Sequence, residues 1–203
     1  DAWESRSTSD ERTKDDHIVS IFRTTTRSSY GLVTSAGRLV LAHVVELPKV
    51  SADGPLSVTG GVKAEELLGM TENTDPIRGE RVIAAIDMPS TDDGGQLVPL
   101  ALGTRNGVVK RWNRESPTTM DSWSVIDLKD DDEVLAAAEA RDEDRLVFVS
   151  TDSSLLTFEA KNVRPQGRTA GGMAGIRLAE GCSVAAFAVV PDGKVTWNYE
   201  EGE

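Results

Sequence analysis

Three stretches of the chain share one pattern, in which two apolar runs flank a short polar turn. They span residues 30–41, 100–112 and 146–158, and their turns read Ser-Ala-Gly, Arg-Asn-Gly and Asp-Ser-Ser. Apolar, β-branched runs on either side of such turns are typical of β-hairpins. The turn at Asn106 and Gly107 is the strongest signal, because both residues tolerate the positive φ of tight hairpin turns. The pattern therefore predicts three β-hairpins.

Short apolar segments precede the predicted hairpins, and a fourth copy follows the last one. The copies span residues 17–22, 81–86, 133–138 and 182–190, and their equivalent valines, Val19, Val82, Val134 and Val184, are 63, 52 and 50 residues apart. A repeat of about 50 residues is typical of stacked or radial units of three or four strands, such as propeller blades. The sequence therefore predicts an all-β array with repeats at about residues 17–60, 80–126 and 132–178, and an incomplete repeat at 182–203.

The two ends of the chain differ from these repeats. Residues 1–16 hold six acidic and three basic residues and little that is apolar beyond Trp3, so we expect a polar lead-in outside the core. In the last repeat a partner strand begins at residues 194–199, and the sequence stops before a full hairpin could form. We therefore expect the chain to be a piece of a longer polypeptide.

Two segments have helical character. Residues 134–141 are rich in alanine and have a fair helix propensity, which leaves a helix as the alternative to a strand. The strand is preferred there because the repeat requires one. Residues 65–70 are predicted to form one short helical turn.

Charge is unevenly distributed along the chain. The total is −12, from 22 basic and 34 acidic residues, which on its face argues against a nucleic-acid partner. The segments 17–60, 97–126 and 146–178 each carry four basic against two acidic residues, whereas the connecting segments are acidic. Equivalent positions of a radial array fall on one rim, so these basic residues would line a track for phosphates. Exposed charges whose sign is a matter of chance are the alternative.

The residues indicate no catalytic or metal site. His17 and His43 are the only histidines, and nothing in the sequence provides a catalytic partner for either. Residues 130–133 lack the ligand spacing of a calcium loop, and residues 171–175 lack the Lys-Ser/Thr of a phosphate loop. The one cysteine, Cys182, excludes a disulfide framework, and no apolar run is long enough to cross a membrane.

One segment carries a specific family resemblance. Residues 162–178 read Asn-Val-Arg-Pro-Gln-Gly-Arg-Thr-Ala-Gly-Gly-Met-Ala-Gly-Ile-Arg-Leu, which resembles the inter-blade signature of the C-terminal domains of the A subunits of DNA gyrase and topoisomerase IV. Residues 104–111 resemble a blade hairpin of the same family, and residues 32–38 with 46–48 a weaker copy. The sequence around Trp123 and residues 173–175 resembles actinobacterial members.

This resemblance implies a β-pinwheel, here a partial array of about three to four blades of four-stranded antiparallel sheet, with duplex DNA bent around a basic outer rim. In such a family the catalytic tyrosine, Mg²⁺ and ATP belong to other parts of the enzyme, so no catalytic residue and no cofactor is expected in this chain. The implied partners are double-stranded DNA, the B subunit of the enzyme, and the N-terminal region of the A subunit, with no membrane, in the bacterial cytoplasm at the nucleoid. The positions expected to contact phosphates are Arg38, Arg105, Lys110, Arg111, Arg114, Lys161, Arg164, Arg168 and Arg177.

Two questions stay open at this level. The Gln-Arg-Arg-Gly-Gly-Lys-Gly box of gyrase is absent from the 203 residues, so the sequence does not separate gyrase from topoisomerase IV. An acidic β-propeller could also be a protein-interaction module of the WD40 or kelch type, although the chain lacks the Trp-Asp and Gly-His signatures of WD40 repeats.

Overall fold

The computed structural model describes residues 20–48, 62–70, 79–88, 97–117, 119–129 and 131–192. Over these ranges the chain forms short β-strands and one α-helix. In chain order the elements are β1 (Ser29–Thr34), β2 (Arg38–His43), α1 (Ala64–Met70), β3 (Val82–Met88), β4 (Leu100–Thr104), β5 (Val108–Trp112), β6 (Ser122–Ser124), β7 (Val134–Glu139), β8 (Arg145–Ser150), β9 (Leu155–Glu159), β10 (Pro165–Gln166), β11 (Met173–Ala174) and β12 (Val184–Val190).

The three predicted hairpins are confirmed as the antiparallel pairs β1–β2, β4–β5 and β8–β9. The alanine-rich segment is strand β7, and the short helical turn is α1. The strand predicted at residues 17–22 is not formed in its described part, since residues 20–22 have no regular structure. Its first three residues, the strand predicted at 194–199 and the polar lead-in lie outside the described residues.

The strand between two hairpins pairs with the hairpin that comes before it. β3 pairs with β1, β7 with β4, and β12 with β8. The sequence repeats, by contrast, group each of these strands with the hairpin that follows. Such a strand lies next to both hairpins in the sequence, and only the tertiary structure decides with which hairpin it pairs. A sheet of the structure therefore takes strands from two consecutive repeats.

The outermost strands also pair with a hairpin that lies earlier in the chain. Sheet A has the order β3-β1-β2-β6, sheet B the order β7-β4-β5-β10 with β11 also on β5, and sheet C the order β12-β8-β9. β6 follows the hairpin of sheet B yet pairs with β2 of sheet A, and β10 and β11 follow the hairpin of sheet C yet pair with β5 of sheet B. Sheets A and B are thus each completed by strands that follow the hairpin of the next sheet.

The apolar side chains fill the spaces between sheets. One core cluster joins residues of sheet A, such as Leu39, to residues of sheet B, such as Leu102, and a second joins sheet B to Phe148 of sheet C. The far face of sheet A is covered by Leu67 and Leu68 of α1. Sheet B is therefore packed on both of its faces. The strands β3, β7 and β12 contact one another from sheet to sheet, which leaves β6, β10 and β11 at the opposite, outer edges.

Gly103 of β4 gives a direct test of this packing. A Cβ at this position would overlap the ring of Phe187, which enters the core between sheets B and C. We expect Gly103→Ala to lower the free energy of unfolding by about 1–3 kcal/mol through overpacking. Urea denaturation followed by near-UV circular dichroism measures the change. Gly167→Ala is the matched control, because its added Cβ meets only ordinary contacts with Glu115; equal losses in both variants would contradict the assigned packing.

Candidate nucleic-acid interface

Residues 163–178, termed the edge segment here, run along the outer side of β5. Pro165 and Gln166 pair in parallel with Arg111 and Trp112, and further along Met173 and Ala174 pair antiparallel with β5. The N–H groups of residues 175 and 176 donate to the carbonyl of Gly107, with N···O distances of 2.8 and 3.1 Å. The edge segment therefore covers β5 from its last residue back to the hairpin turn.

Lys110 of β5 reaches the part of the edge segment that lies between β10 and β11. Its Nζ donates to the carbonyl oxygens of Arg168, at 3.1 Å, and Ala170, at 2.6 Å, and the side chain is fully buried. Burial lowers the pKa of Lys110 to about 8, while Asp127 and Glu115 act against this shift. Lys110 is a cation of the interior whose hydrogen bonds go to backbone carbonyls.

Gly172 lets the edge segment approach β5 closely. Its φ is +81°, and a Cβ there would lie 2.6 Å from the carbonyl oxygen of Val109 and 3.1 Å from the Cβ of Lys110. Only glycine adopts this conformation without strain and fits the space. The backbone at this point therefore passes directly over the side of β5.

Arg111, the next residue of β5, holds the start of the edge segment from inside. Its Nη1 donates to the carbonyls of Ala160, at 3.0 Å, and Val163, at 3.2 Å. Its Nη2 donates to the carbonyl of Ala140, at 3.0 Å, and to the carboxylate of Asp142, at 2.7 Å. The side chain is buried, so these acceptors stabilise the charge of the guanidinium inside the protein.

Arg38 and Arg114, two more of the expected phosphate-binding residues, are bonded to groups of the protein itself. The guanidinium of Arg38 forms two hydrogen bonds, of 2.9 and 2.7 Å, with the carboxylate of Glu80, and the Glu80 side chain is fully buried. Buried Arg114 donates to Glu139 at 2.5 Å and also to the carbonyl of Asp87 in sheet A. Burial of Lys110, Arg111 and Arg114, and the two bonds of partly buried Arg38 to Glu80, therefore argue against phosphate contact by four of the nine expected positions.

Arg105 and Lys161 are exposed, and each has an acidic partner. Arg105 forms an ion pair with Glu133, which also binds Arg81 at 3.0 Å. Lys161 pairs with Glu159; this hydrogen-bonded contact raises the pKa of Lys161 and lowers that of Glu159. Exposed pairs of this kind are weak, so both cations can exchange partners with a phosphate.

The other three expected residues lie on the surface of the edge segment. Arg164 and Arg177 are exposed and Arg168 is half-buried. Within the described part of the chain, none of these three side chains forms a hydrogen bond or an ion pair. Sheet B thus presents three uncompensated guanidinium groups along one outer edge. Sequence reasoning found all three but did not separate them from the buried cations of the neighbouring strand.

Comparison with known proteins finds similarity to one type of domain. Residues 144–191 match the family model of the DNA gyrase C-terminal domain, a β-propeller. The chain is 29% identical over 184 residues to the DNA gyrase A subunit of Mycolicibacterium smegmatis and 29% identical over 180 residues to that of Staphylococcus epidermidis, matching 88% and 86% of this chain. It spans about a fifth of the length of these relatives.

Solved structures share the architecture. The C-terminal domain of a DNA topoisomerase IV superposes with a TM-score of 0.69 at 22% identity, over 94% of this chain and 55% of that one. The C-terminal domain of E. coli ParC gives a TM-score of 0.59 at 18% identity, over 83% and 64% of the two chains. In sequence and fold, the chain is similar to the C-terminal domains of topoisomerase A subunits. The predicted all-β pinwheel fold is confirmed.

Among the described residues, no helix combines the length and the apolar character that a membrane span requires. The same residues hold no group of three or more His, Cys, Asp or Glu side chains that could bind a metal ion. Asp130, part of the acidic run considered as a calcium loop, lies outside the described residues. Cys182 is a free, partly buried thiol.

Substitution by alanine should separate the buried from the exposed arginines. Arg111→Ala leaves the buried carbonyls of Ala140 and Val163 without this donor, whereas the exposed carboxylate of Asp142 is solvated, so we expect a loss of about 2–4 kcal/mol in the free energy of unfolding. Arg164→Ala removes an exposed group, and we expect a change within about 0.5 kcal/mol. Urea denaturation measures both. A small loss for Arg111→Ala would show that its internal bonds are not those of the folded protein.

The lowered pKa of Lys110 predicts a specific pH dependence of stability. Between pH 8 and the ordinary lysine range near 10.5, native Lys110 loses its proton while the unfolded chain keeps it. Stability attributable to Lys110 should therefore rise with pH across this window, and be constant below it. The difference in unfolding free energy between the wild type and Lys110→Met, measured at pH 7, 9 and 10, isolates this contribution. A difference that stays constant or falls with pH would contradict the burial of a charged amine.

Proposed function

We propose that this chain is a DNA-binding part of the A subunit of a type IIA DNA topoisomerase, and that the edge segment contacts the phosphates of duplex DNA. The observation that carries the proposal is the placement of Arg164, Arg168 and Arg177. All three lie on the outer edge of sheet B and have no internal partner among the described residues. Guanidinium groups free of internal partners attract phosphates and displace the counterions condensed on DNA.

The chemistry of the edge segment favours backbone contact over base recognition. The three arginines lie on a segment that covers one strand, and no helix is present there to enter the major groove. Contacts to phosphates fix the position of a duplex without reading its sequence. The domain would therefore position or bend DNA with little sequence preference. Lys161 and Arg105 would add to this surface when their exposed ion pairs open.

The similarity to topoisomerase subunits supports the wider setting of the proposal. The relatives are named as A subunits of DNA gyrase, and solved neighbours include C-terminal domains of both gyrase and topoisomerase IV. The chain would act in the bacterial cytoplasm, at the nucleoid, with a B subunit of the enzyme and an N-terminal A-subunit region that together perform the strand passage. The parent enzyme would be either a gyrase or a topoisomerase IV.

DNA affinity and its salt dependence test the function. We expect the chain to bind a 40-base-pair duplex in fluorescence anisotropy, with an affinity that falls steeply between 50 and 200 mM salt. The triple variant Arg164→Ala, Arg168→Ala, Arg177→Ala should lose affinity by about tenfold or more, and its log–log salt slope should shrink by about 2–3, since each phosphate contact contributes about 0.9.

The control variant removes the same charge elsewhere. Arg27, Arg141 and Arg145 are exposed and lie outside the edge segment, so their triple replacement by alanine should change the affinity by less than about threefold. Absence of binding by the wild type at 50 mM salt would refute the proposed function. Equal losses in the two triple variants would refute the edge segment as the contact surface.

A further inference from the structure

We propose that Lys110 is a positioning residue for DNA contact, which fixes the backbone that carries Arg168 without itself touching a phosphate. The inference rests on the proposed function of the edge segment. It concerns a residue whose cationic character suggests the opposite role, namely direct binding of DNA. The positioning role follows from where the Nζ of Lys110 is bonded and from what the adjacent Arg111 holds.

The edge segment has little backbone pairing of its own. β10 and β11 each contain two residues, and the residues between them leave the ladder. Carbonyl groups in such a stretch need donors from elsewhere when they face the interior. Lys110 supplies both donors at this place, one to the carbonyl of Arg168 and one to that of Ala170. The backbone on either side of Thr169 is therefore tied to β5 through one amine.

Arg111 ties the other end of the same stretch. Its bonds to the carbonyls of Ala160 and Val163 lie just before Arg164, whereas those of Lys110 lie at and after Arg168. The two neighbouring cations of β5 thus hold the chain on both sides of the span 164–168. The main chain of that span is fixed from inside, and its two arginine side chains remain free of internal partners within the described residues.

Burial excludes direct contact between Lys110 and DNA in this arrangement. The Lys110 side chain is fully buried, and it lies beneath Gly172, where an added Cβ would be 2.6 Å from the carbonyl oxygen of Val109. The carbonyl of Ala170 is held from a second direction by the N–H of Asp127, at 3.2 Å. A duplex at the outer edge would meet the edge-segment arginines first, and the effect of Lys110 on DNA would pass through the backbone.

A double-mutant cycle distinguishes positioning from direct contact. In the wild-type background, Lys110→Met should weaken binding of a 40-base-pair duplex by about three- to tenfold at pH 7. In the Arg168→Ala background the same change should cost less than about 1.5-fold, because the side chain that it positions is gone. In the Arg177→Ala background the full loss should return, since Arg177 lies beyond the stretch that Lys110 holds. Equal losses in all three backgrounds would overturn the proposal and indicate direct contact.

Lys161→Met is the matched control for loss of one positive charge. Lys161 is exposed and paired with Glu159, so its effect on binding should be the same with and without Arg168. Lys110→Gln, which keeps an N–H₂ donor without the charge, should recover part of the affinity lost in Lys110→Met. If Lys110→Met does not fold, the cycle is run with Lys110→Gln.

Amide hydrogen exchange of the free protein separates this inference from the proposed function. Lys110→Met should lower protection at residues 168–174 by about tenfold or more while β4 and β8 keep theirs. Loss of protection in a chain that binds no DNA would refute the proposed function and leave the positioning role of Lys110 intact. Unchanged protection at these residues would overturn the positioning role whatever the DNA affinity.

Discussion

The exposed hydrogen-bonding edge of each hairpin's second strand is the constraint on which the architecture depends. An open strand edge is a site for unwanted pairing unless it is covered. β2 is covered by β6 and β5 by the edge segment, and both covers come from chain that follows the next hairpin. Neighbouring sheets are therefore linked by pairing as well as by packing, and sheets A and B cannot be completed without a sheet further along the chain. Among the described residues, β9 of sheet C has no such cover.

The buried cations of β5 follow from how this edge is covered. A cover with two short strands leaves several carbonyls facing inward without a ladder partner. A long side chain from β5 reaches them, and the backbone N–H of Asp127 adds a second donor to the carbonyl of Ala170. Lys110 bonds two carbonyls of the cover, and Arg111 bonds the carbonyl of Val163 at its start. Each side chain makes enough hydrogen bonds to offset part of the cost of burying its charge. The lowered pKa of Lys110 shows that desolvation still outweighs the neighbouring carboxylates.

Local patterns were sufficient to predict the hairpins and helix α1, because turn residues and apolar runs act within a few positions. Strand β7 was predicted from the repeat, since its alanine-rich composition alone also suits a helix. The partner of each intervening strand depends on contacts between distant residues, so grouping it with the following hairpin did not match the sheets. The buried cations were missed for a related reason. Successive side chains of a strand point to opposite faces of its sheet. If one face of sheet B were exposed to solvent, either Lys110 or Arg111 would reach solvent. Sheet B lies between two other sheets, so both of its faces are buried. Lys110 and Arg111 of β5 are therefore both buried as well.

The net charge of −12 acquires a geometric meaning from these positions. Counting the basic residues of each repeat treats all of them as surface charges, yet Lys110, Arg111 and Arg114 are buried and hydrogen-bonded to carboxylates and carbonyls. Their removal from the surface count makes the remaining exterior more acidic than the sequence suggests. The guanidinium groups of the edge segment are then surrounded by an acidic surface. That surface would repel DNA everywhere except along the outer edge of sheet B. Acidity of this kind limits the number of ways in which a duplex can approach, and so favours a defined path for DNA over tight, unspecific adhesion.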